Sequence, residues 1–529
     1  MTYRSYSSHR LLVLDLNHVL LFIAIVSPLI LLVRIARLRN PRNRGWRIAA
    51  SIVLGICAAG WLLAPSFAGY LGGTVWCLLL VIPSVAERGI DQALLAQRFA
   101  RARHIAIVRR VLHPWNDSPF RASLLQSLEL AVHGRLDCAL DRLAAERQES
   151  TPAGRFATAL TFALTENWAG LVQWCRRDPS LTTTPAVYSL YLRALGEIGA
   201  LDDLVFALGS HFDLSEPDQL LSSAGGYNFV LVLAFCGETG LLSKLLRGPL
   251  KVMPQERQQF WLATAELAEG KTLLARQQLE KLRGETRDAV LRRSIERRLG
   301  TTTLAHLSAR GEMLLARLLS ETIGTQKIAS GPEHGAPAVW ALILLNVAMF
   351  GTEILLGGAT NPSTLHELGA LEPAAVIVRH EYWRLLTALF LHYGLLHIAF
   401  NLYALYLLGP ALERMIGSFK FLLAYIISGL GSSAGVVLLW MLHLTVADQL
   451  VGASGCVMGV IGVSAGLLFR HRQTPLAGRR LRNILFIVVL QTAFDLSTPQ
   501  VSLGAHLSGF ATGLLVGLVL ASQERFAHA

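Results

Sequence analysis

The sequence predicts an all-α polytopic membrane protein. Hydrophobic residues make up 53% of the 529 residues and charged residues only 16%, a composition too apolar for a soluble protein of this length. Apolar runs of about 20 residues, the length needed to span a bilayer, recur along the chain. Much of the excess positive charge, +12 in all, lies in arginines beside these runs, as membrane topology requires. The charge therefore does not argue for nucleic-acid binding.

Residues 1–86 are predicted to hold three amino-terminal transmembrane helices. The first apolar run, 17–35, is too long for the core of a secretory signal and lacks a small-residue cleavage site after it, so we expect it to be retained. The second, 48–85, is broken near Pro65 and suits a helical hairpin. Six arginines lie at the end of the first run or after it, against only Arg4 and Arg10 before it: Arg34, Arg37, Arg39, Arg42, Arg44 and Arg47. We therefore expect the amino terminus to lie outside.

Residues 87–330 are predicted to form a separate cytoplasmic helical domain, because their helices are amphipathic and no run is long enough to span. Turns between helices are expected near Gly134, Asn167, Gly199, Gly240 and Gly270, at spacings mostly close to the ~34 residues of tetratricopeptide repeats. The full repeat pattern is missing, so the prediction is an α-solenoid-like, tetratricopeptide-like domain. Two interpretations stay open: a solvated scaffold, or a groove for a cytoplasmic protein or peptide partner. Residues 331–336 are predicted to be a linker.

Residues 337–522 contain six further apolar runs, followed by a cytoplasmic tail at 523–529. The runs are 337–357, 386–409, 419–442, 450–469, 482–498 and 502–521. Basic residues such as Arg414 and Arg470 occupy alternate loops, whereas the loops around Asp448 and 495–499 carry none. This alternation predicts that the second group of loops faces outside.

Two of these runs open with glycine-rich segments that carry a candidate nucleophile and a candidate base. Ser454 lies in 451–459 (VGASGCVMG), between Gly452 and Gly455, and His506 lies in 504–513 (GAHLSGFATG), one turn before Gly509. Glycine-faced helices can pack at close range, which would bring the hydroxyl within reach of the imidazole. Small-residue faces are also common as simple packing in transmembrane bundles.

A third segment supports the catalytic interpretation. Polar residues enter an apolar helix at 392–401 (HYGLLHIAFN), and polar groups inside a membrane are costly and generally functional. His397 and Asn401 are four residues apart, hence on one helix face, and are candidate donors to an oxyanion. With His392 and Ser454 they are expected to line a water-containing cavity open to the outer face.

Together these residues resemble the rhomboid family of intramembrane serine proteases. The matching features, in order, are 381–384 (EYWR), His392, His397, Asn401, 452–455 (GASG), Ala505, His506, Gly509 and Gly513. The resemblance implies a six-helix rhomboid-like catalytic domain at 337–522. It also implies that Ser454 is the nucleophile, His506 the base, and His397, Asn401 and the Ser454 amide the oxyanion site. Gly452, Gly455, Met458 and Gly509 would pack the site.

Met458 departs from the family pattern, which usually has Tyr or Phe packed against the histidine at this position. No carboxylate is evidently placed to orient the imidazole. We therefore expect a Ser–His dyad in which the polarisable sulfur of Met458 contacts the ring.

The resulting prediction is an intramembrane serine endopeptidase that cleaves single-span membrane proteins near the outer face. The alternative is a catalytically weak rhomboid-like binder or scaffold, although such relatives typically lose the serine or the histidine. No metal and no cofactor are expected, because the chain has no HExxH motif and its six cysteines form no CxxC pair. The expected partners are transmembrane substrates and membrane lipid, and the expected location is a bacterial inner (plasma) membrane.

The predicted topology is tested by cysteine labelling in intact cells. A cysteine introduced near Asp202 is expected to react with a membrane-impermeant reagent only after the cells are opened, because the helical domain would be cytoplasmic. Labelling of this cysteine from outside would overturn the topology.

Overall fold

The structure is a computed structural model, and it describes most of the chain. The described residues are 15–38, 44–115, 120–211, 223–248, 250–301, 305–329, 335–446, 448–470, 472, 475–498 and 501–527. Predicted linker residues 331–334 and the last two tail residues lie outside these ranges. The chain divides into two compact units: one holds the described residues up to Phe22 and those from Ile323 onward, and the other is Ile23–Thr322.

Across the described residues the chain is helical and forms no strand, as the sequence predicts. The amino-terminal helices are α1 (Leu16–Leu38), α2 (Arg44–Leu63), α3 (Ala68–Trp76) and α4 (Ile82–Leu95). The predicted break near Pro65 is a 3-10 turn over Pro65–Phe67. A π-helical turn at Cys77–Val81 joins α3 to α4, and α4 continues past residue 86 from the apolar into the amphipathic part of the chain.

The next thirteen helices have 9 to 21 residues each. They are α5 (Phe99–Leu112), α6 (Ala122–Val132), α7 (Leu136–Ala145), α8 (Pro152–Leu164), α9 (Trp168–Arg177), α10 (Pro185–Glu197), α11 (Leu201–His211), α12 (Ser223–Phe235), α13 (Thr239–Arg247), α14 (Gln255–Ala268), α15 (Thr272–Glu285), α16 (Ala289–Gly300) and α17 (Ala309–Ala329). Gly134, Gly199 and Gly270 stand between helices with φ of 81°, 77° and 94°, where a residue with a Cβ is disfavoured.

A buried ion cluster ties distant parts of this helical region together. Glu197 on α10 accepts from Arg298 on α16 at 3.1 Å, and Arg193 lies over the ring of Trp168 at 5.1 Å. Arg193 also donates to the Ser294 hydroxyl at 2.9 Å. Helices about 100 residues apart in the chain are thus joined by charge-assisted hydrogen bonds.

The last nine helices include the six predicted membrane runs. They are α18 (Pro337–Leu355), α19 (Pro362–Leu368), α20 (Pro373–Val378), α21 (Arg384–Thr387), α22 (Leu395–Ile416), α23 (Ser418–Met441), α24 (Ser454–Arg470), α25 (Pro475–Ser497) and α26 (Leu503–Ala527). The short helices α19 to α21 lie in the connection between α18 and α22.

Seven helices of the described residues are long and apolar enough to cross a membrane. They are Leu16–Ala36, Arg44–Leu63, Pro65–Leu95, Pro337–Leu355, Leu395–Ile416, Ser418–Met441 and Leu503–Ser522. The other two predicted spans are also helices: α24 has only 17 residues, and α25 carries Arg479, Arg480 and Arg482 near its beginning.

The packing of α24 against α26 depends on glycine. A Cβ added to the second helix would lie 2.3, 2.1 and 2.3 Å from a carbonyl oxygen of the first, in the pairs Gly509 with Gly455, Gly513 with Gly459, and Gly517 with Val463. Distances this short leave no space for a methyl group, so the backbones are in direct contact. Because the pairs advance in the same direction along both helices, α24 and α26 run parallel.

Helix α23 packs against the same pair through small side chains. Ser432 lies against Gly455 of α24, where an added Cβ would be 2.1 Å from the serine oxygen. The Ser432 hydroxyl also donates to the Ala505 carbonyl of α26 at 2.7 Å. One residue thereby fixes α23 against the starts of both other helices.

We expect Gly517→Ala to destabilise this domain by about 1–3 kcal/mol, because the added methyl group meets backbone that cannot turn aside. Unfolding of the purified protein in detergent, followed against temperature, measures the effect. Gly351→Ala in α18 is the control, since nothing lies within 4 Å of its added Cβ. Equal stability of the two variants would contradict the close-packing argument.

Candidate active site

Ser454 begins α24, and the segment before it is held by backbone hydrogen bonds. Leu450 and Leu371 exchange two N–H to O bonds of 2.9 Å each, and the Gly452 N–H donates to the Ala388 carbonyl at 2.9 Å. The Ser454 side chain is partly exposed. The loop that follows α18 therefore fixes the position of the helix start.

Gly452 brings Ser454 and His397 together. Its φ is 132°, and an added Cβ would lie 2.8 Å from His397 Nε2 and 3.7 Å from Ser454 Oγ. A side chain at this position would be strained and would also displace the imidazole. The glycine thus allows the hydroxyl and the His397 ring to share one small space.

The orientation of His397 follows from a backbone contact. The Tyr393 N–H lies 3.3 Å from His397 Nδ1. A nitrogen that accepts a hydrogen bond carries no proton, so the proton of the neutral ring is on Nε2. His397 therefore presents an N–H donor toward Gly452 and Ser454.

Asn401 presents a second donor. Its side chain is only 6% exposed, and its Nδ2 has no hydrogen-bond partner among the described residues. Buried amide groups are normally paired. The unpaired Asn401 amide lies one helical turn after His397. It is therefore suited to donate a hydrogen bond to a group that is not part of the protein chain.

Two further buried polar residues, His392 and Glu353, lie near His397. The His392 ring is 5.3 Å from the His397 ring, centroid to centroid, and neither of its nitrogens has a partner among the described residues. Its backbone N–H donates to Glu353 Oε1 of α18 at 2.9 Å, while Glu353 Oε2 is unpaired in the same part of the chain.

His506 lies in the first turn of α26 and is 5% exposed. Its Nδ1 is 2.8 Å from Oδ2 of Asp495, near the end of α25. The expectation that no carboxylate is placed beside this imidazole is therefore wrong. The return of the chain through α25 brings Asp495 to the start of α26.

Ser454 and His506 begin parallel helices that touch through the backbones of Gly455 and Gly509. In the described part of the chain His506 Nδ1 lies 2.8 Å from Asp495 Oδ2 and 3.5 Å from Gln491 Nε2, and no hydrogen bond joins the ring to Ser454. The two side chains are neighbours at one level of the domain.

Met458 lies in an apolar cluster beside this site. It is buried with Ile461 and Val488, and Phe510 of α26 packs against the same cluster. Phe510 follows His506 by one turn, so Met458 fills space next to the histidine helix.

The loop before the site is fastened by Arg384. Its side chain is 4% exposed and pairs with Glu381, while its Nη1 donates to the carbonyls of His366 at 2.8 Å and Ala370 at 3.0 Å. The guanidinium also lies 4.7 Å from the Trp383 ring centre. Arg384 is thus a loop staple inside the protein.

Three polar residues of this region were not predicted: Asp495, Gln491 and Glu353. All three interrupt apolar helices, and Gln491 and Asp495 are four residues apart. A charged side chain inside a predicted span is itself a signal. Because it carries no Lys or Arg, the segment 495–499 is interpreted only as an outer loop. This interpretation does not identify Asp495 as a residue of the site.

A chain that is helical throughout its described residues and has several helices able to span a membrane is an integral membrane protein. Residues 379–523 match the model of the Rhomboid domain. The chain therefore contains a rhomboid domain.

Relatives occur in bacteria and plants. The chain is 32% identical to the rhomboid protease GluP of Bacillus subtilis over 212 residues, which are 40% of each protein. It is 32% identical to the rhomboid protease GlpG of Klebsiella pneumoniae over 190 residues, 35% of this chain and 64% of that one. It is 34% identical to RHOMBOID-like protein 6, mitochondrial, of Arabidopsis thaliana over 166 residues, 31% of this chain and 52% of that one. In each case less than two thirds of the relative is matched.

We expect Arg384→Ala to loosen the loop between α18 and α22. The Ala370 carbonyl would lose its donor, at a cost of about 1–3 kcal/mol for a buried group left unpaired, while the His366 carbonyl would keep the Gly369 N–H at 3.1 Å. Cleavage by proteinase K at 356–383, followed by mass spectrometry, reports the change. Arg379→Ala is the control, because that side chain is 51% exposed and surface ion pairs contribute little. Equal protection in both variants would contradict the staple.

Proposed function

We propose that this protein is an intramembrane serine endopeptidase in which Ser454 is the nucleophile and His506 the general base. The observation that carries the proposal is the meeting of a helix-start serine and the Nε2–H of His397 at Gly452, with the unpaired Asn401 amide one helical turn further along α22. Two relatives are named rhomboid proteases, which supports the same class of activity.

In the proposed reaction, His506 takes the proton of the Ser454 hydroxyl as the oxygen attacks a peptide carbonyl. The same imidazole then gives this proton to the leaving amine. Water, activated by His506, hydrolyses the acyl-enzyme and restores the serine.

Three donors are available to the oxyanion that forms on the attacked carbonyl. Two are His397 Nε2–H and Asn401 Nδ2–H. The third is the Ser454 amide, because the first N–H groups of a helix have no partner within it. Fixed donors aimed at a developing charge are usually the largest electrostatic contribution to such catalysis.

The unpaired atoms of His392 and Glu353 support a supply of water to this site. Buried polar atoms that lack a protein partner are normally satisfied by water. Hydrolysis inside a membrane requires such a wet region, because the hydrocarbon core excludes water.

The proposed substrates are single-span membrane proteins cut near the outer face, with the amino terminus outside and residues 87–330 in the cytoplasm. The arginine distribution supports this topology. We further propose that the protein lies in a bacterial inner (plasma) membrane. The bacterial relatives support this location, whereas the name of one plant relative gives the mitochondrion.

For the helical domain we propose a peptide or protein partner in the cytoplasm. A cavity of about 690 Å³ within Ile23–Thr322 supports a binding role over a plain scaffold. Phe156, Trp168, Arg193 and Glu166 are among its lining residues, so it combines apolar surface with groups of both charges. Cavities of this size and character are typical of ligand sites.

Ser454→Ala and His506→Ala are each expected to abolish peptide cleavage, because nucleophile and base act as one unit. Asn401→Ala should be milder, with a loss on the order of 10²–10³-fold, as for other oxyanion donors. The purified protein in lipid bilayers is assayed with a single-span substrate and with a fluorophosphonate probe that labels activated serines.

Ser464→Ala is the matched control, since this serine lies on the same helix and donates only to the Val460 carbonyl at 2.9 Å. Full cleavage by Ser454→Ala would end the serine-protease proposal. Substrate capture without cleavage by the unmodified protein, together with no probe labelling, would favour the alternative of a rhomboid-like binder or scaffold.

A further inference from the structure

A hydrogen-bonded series of side chains leads from α25 to the base of the proposed reaction. Gln491 Nε2 donates to Asp495 Oδ1 at 2.8 Å, and Asp495 Oδ2 is 2.8 Å from His506 Nδ1. Asp495 is 4% exposed and His506 is 5% exposed. Each carboxylate oxygen thus has one donor, and neither depends on bulk water.

This arrangement is specific to the imidazole. Among the described residues, His506 is the sole ionisable partner of Asp495 within ion-pair distance. A buried carboxylate is costly unless its oxygens accept hydrogen bonds, and a residue that merely capped the start of α26 would accept from backbone amides there instead. The hydrogen bonds with His506 and Gln491 offset the free-energy cost of burying the Asp495 carboxylate.

We propose that Asp495 is a positioning residue that completes a Ser454–His506–Asp495 triad, where a dyad was expected. This inference rests on the proposed function. An ionised carboxylate accepts but cannot donate, so the proton of the neutral imidazole stays on Nδ1. Nε2 then keeps its lone pair for the Ser454 hydroxyl.

Each proton that one group loses in the reaction is taken up by another. The Ser454 O–H bond breaks, its proton moves to His506 Nε2, and the serine oxygen forms a bond to the substrate carbonyl carbon. The imidazolium that results is stabilised by the adjacent anion, and Asp495 itself stays ionised. The Nε2 proton then passes to the leaving amine as the peptide C–N bond breaks.

The triad also accounts for Met458. The family usually holds the imidazole with an aromatic ring at this position, whereas Met458 packs with Ile461, Val488 and Phe510. In this chain a carboxylate on the neighbouring helix supplies the orientation that ring packing would otherwise supply. A flexible side chain is therefore tolerated at 458.

The first test compares Asp495→Asn with Asp495→Ala in the full-length protein in bilayers. Asparagine is isosteric, but its amide donates to Nδ1 and fixes the proton on Nε2, so kcat should fall on the order of 10²–10⁴-fold. Alanine imposes no tautomer, so its loss should be smaller than that of asparagine. KM should change little, because the substrate does not contact Asp495. Asp448→Asn, an exposed carboxylate in the preceding outer loop, should leave kcat and KM unchanged.

The second test does not require activity. The Nδ1 proton of His506 should give a far-downfield proton resonance that persists in Ser454→Ala and disappears in Asp495→Ala. Absence of this resonance from the unmodified protein, or an Asp495→Asn variant with full kcat, would overturn the triad. Activity in Ser454→Ala would instead overturn the proposed function, while the resonance would still report the Asp495–His506 pair.

Discussion

Contact between the backbones of α24 and α26 is the constraint on which the rest of the rhomboid domain depends. Side chains hold most helices about 8–10 Å apart, and here glycine removes that spacing at three successive turns. The starts of both helices are thereby locked at one level. Ser454 and His506 occupy these starts, so packing along the whole helix pair decides the distance between the proposed nucleophile and the proposed base.

The surrounding parts work as supports for this contact. Ser432 ties α23 to both helices, and Arg384 fastens the loop whose Leu371 pairs with Leu450 just before the serine. Gly452 then admits the His397 ring. Rigid positioning of this kind is what electrostatic catalysis requires, since donors that are already oriented need not reorganise during the reaction.

The sequence predicts the helices well where apolar, small or polar residues repeat at helical spacing within one segment. Ser454, His506, His397 and Asn401 each stand on a helix whose small or polar face repeats at helical spacing, and the six runs of the domain were located as helices. Asp495 was missed because its partner lies on another helix, and spacing within α25 does not reveal which neighbour its side chain meets. The turn expected at Gly240 lies slightly earlier, where Gly237 has a φ of 80°. The sequence alone does not show which of Gly237 and Gly240 takes the left-handed conformation.

The parallel course of α24 and α26 has a consequence for how such a site can change in evolution. Two consecutive parallel helices require a return segment, and the end of that segment must arrive beside the start of the second helix. Position 495 is therefore adjacent to the histidine whatever residue it holds. A carboxylate can be gained or lost there by one substitution, without disturbing the glycine contacts that bring serine and histidine together. A dyad and a triad are then neighbouring states of one scaffold, separated by a single codon on the connecting helix.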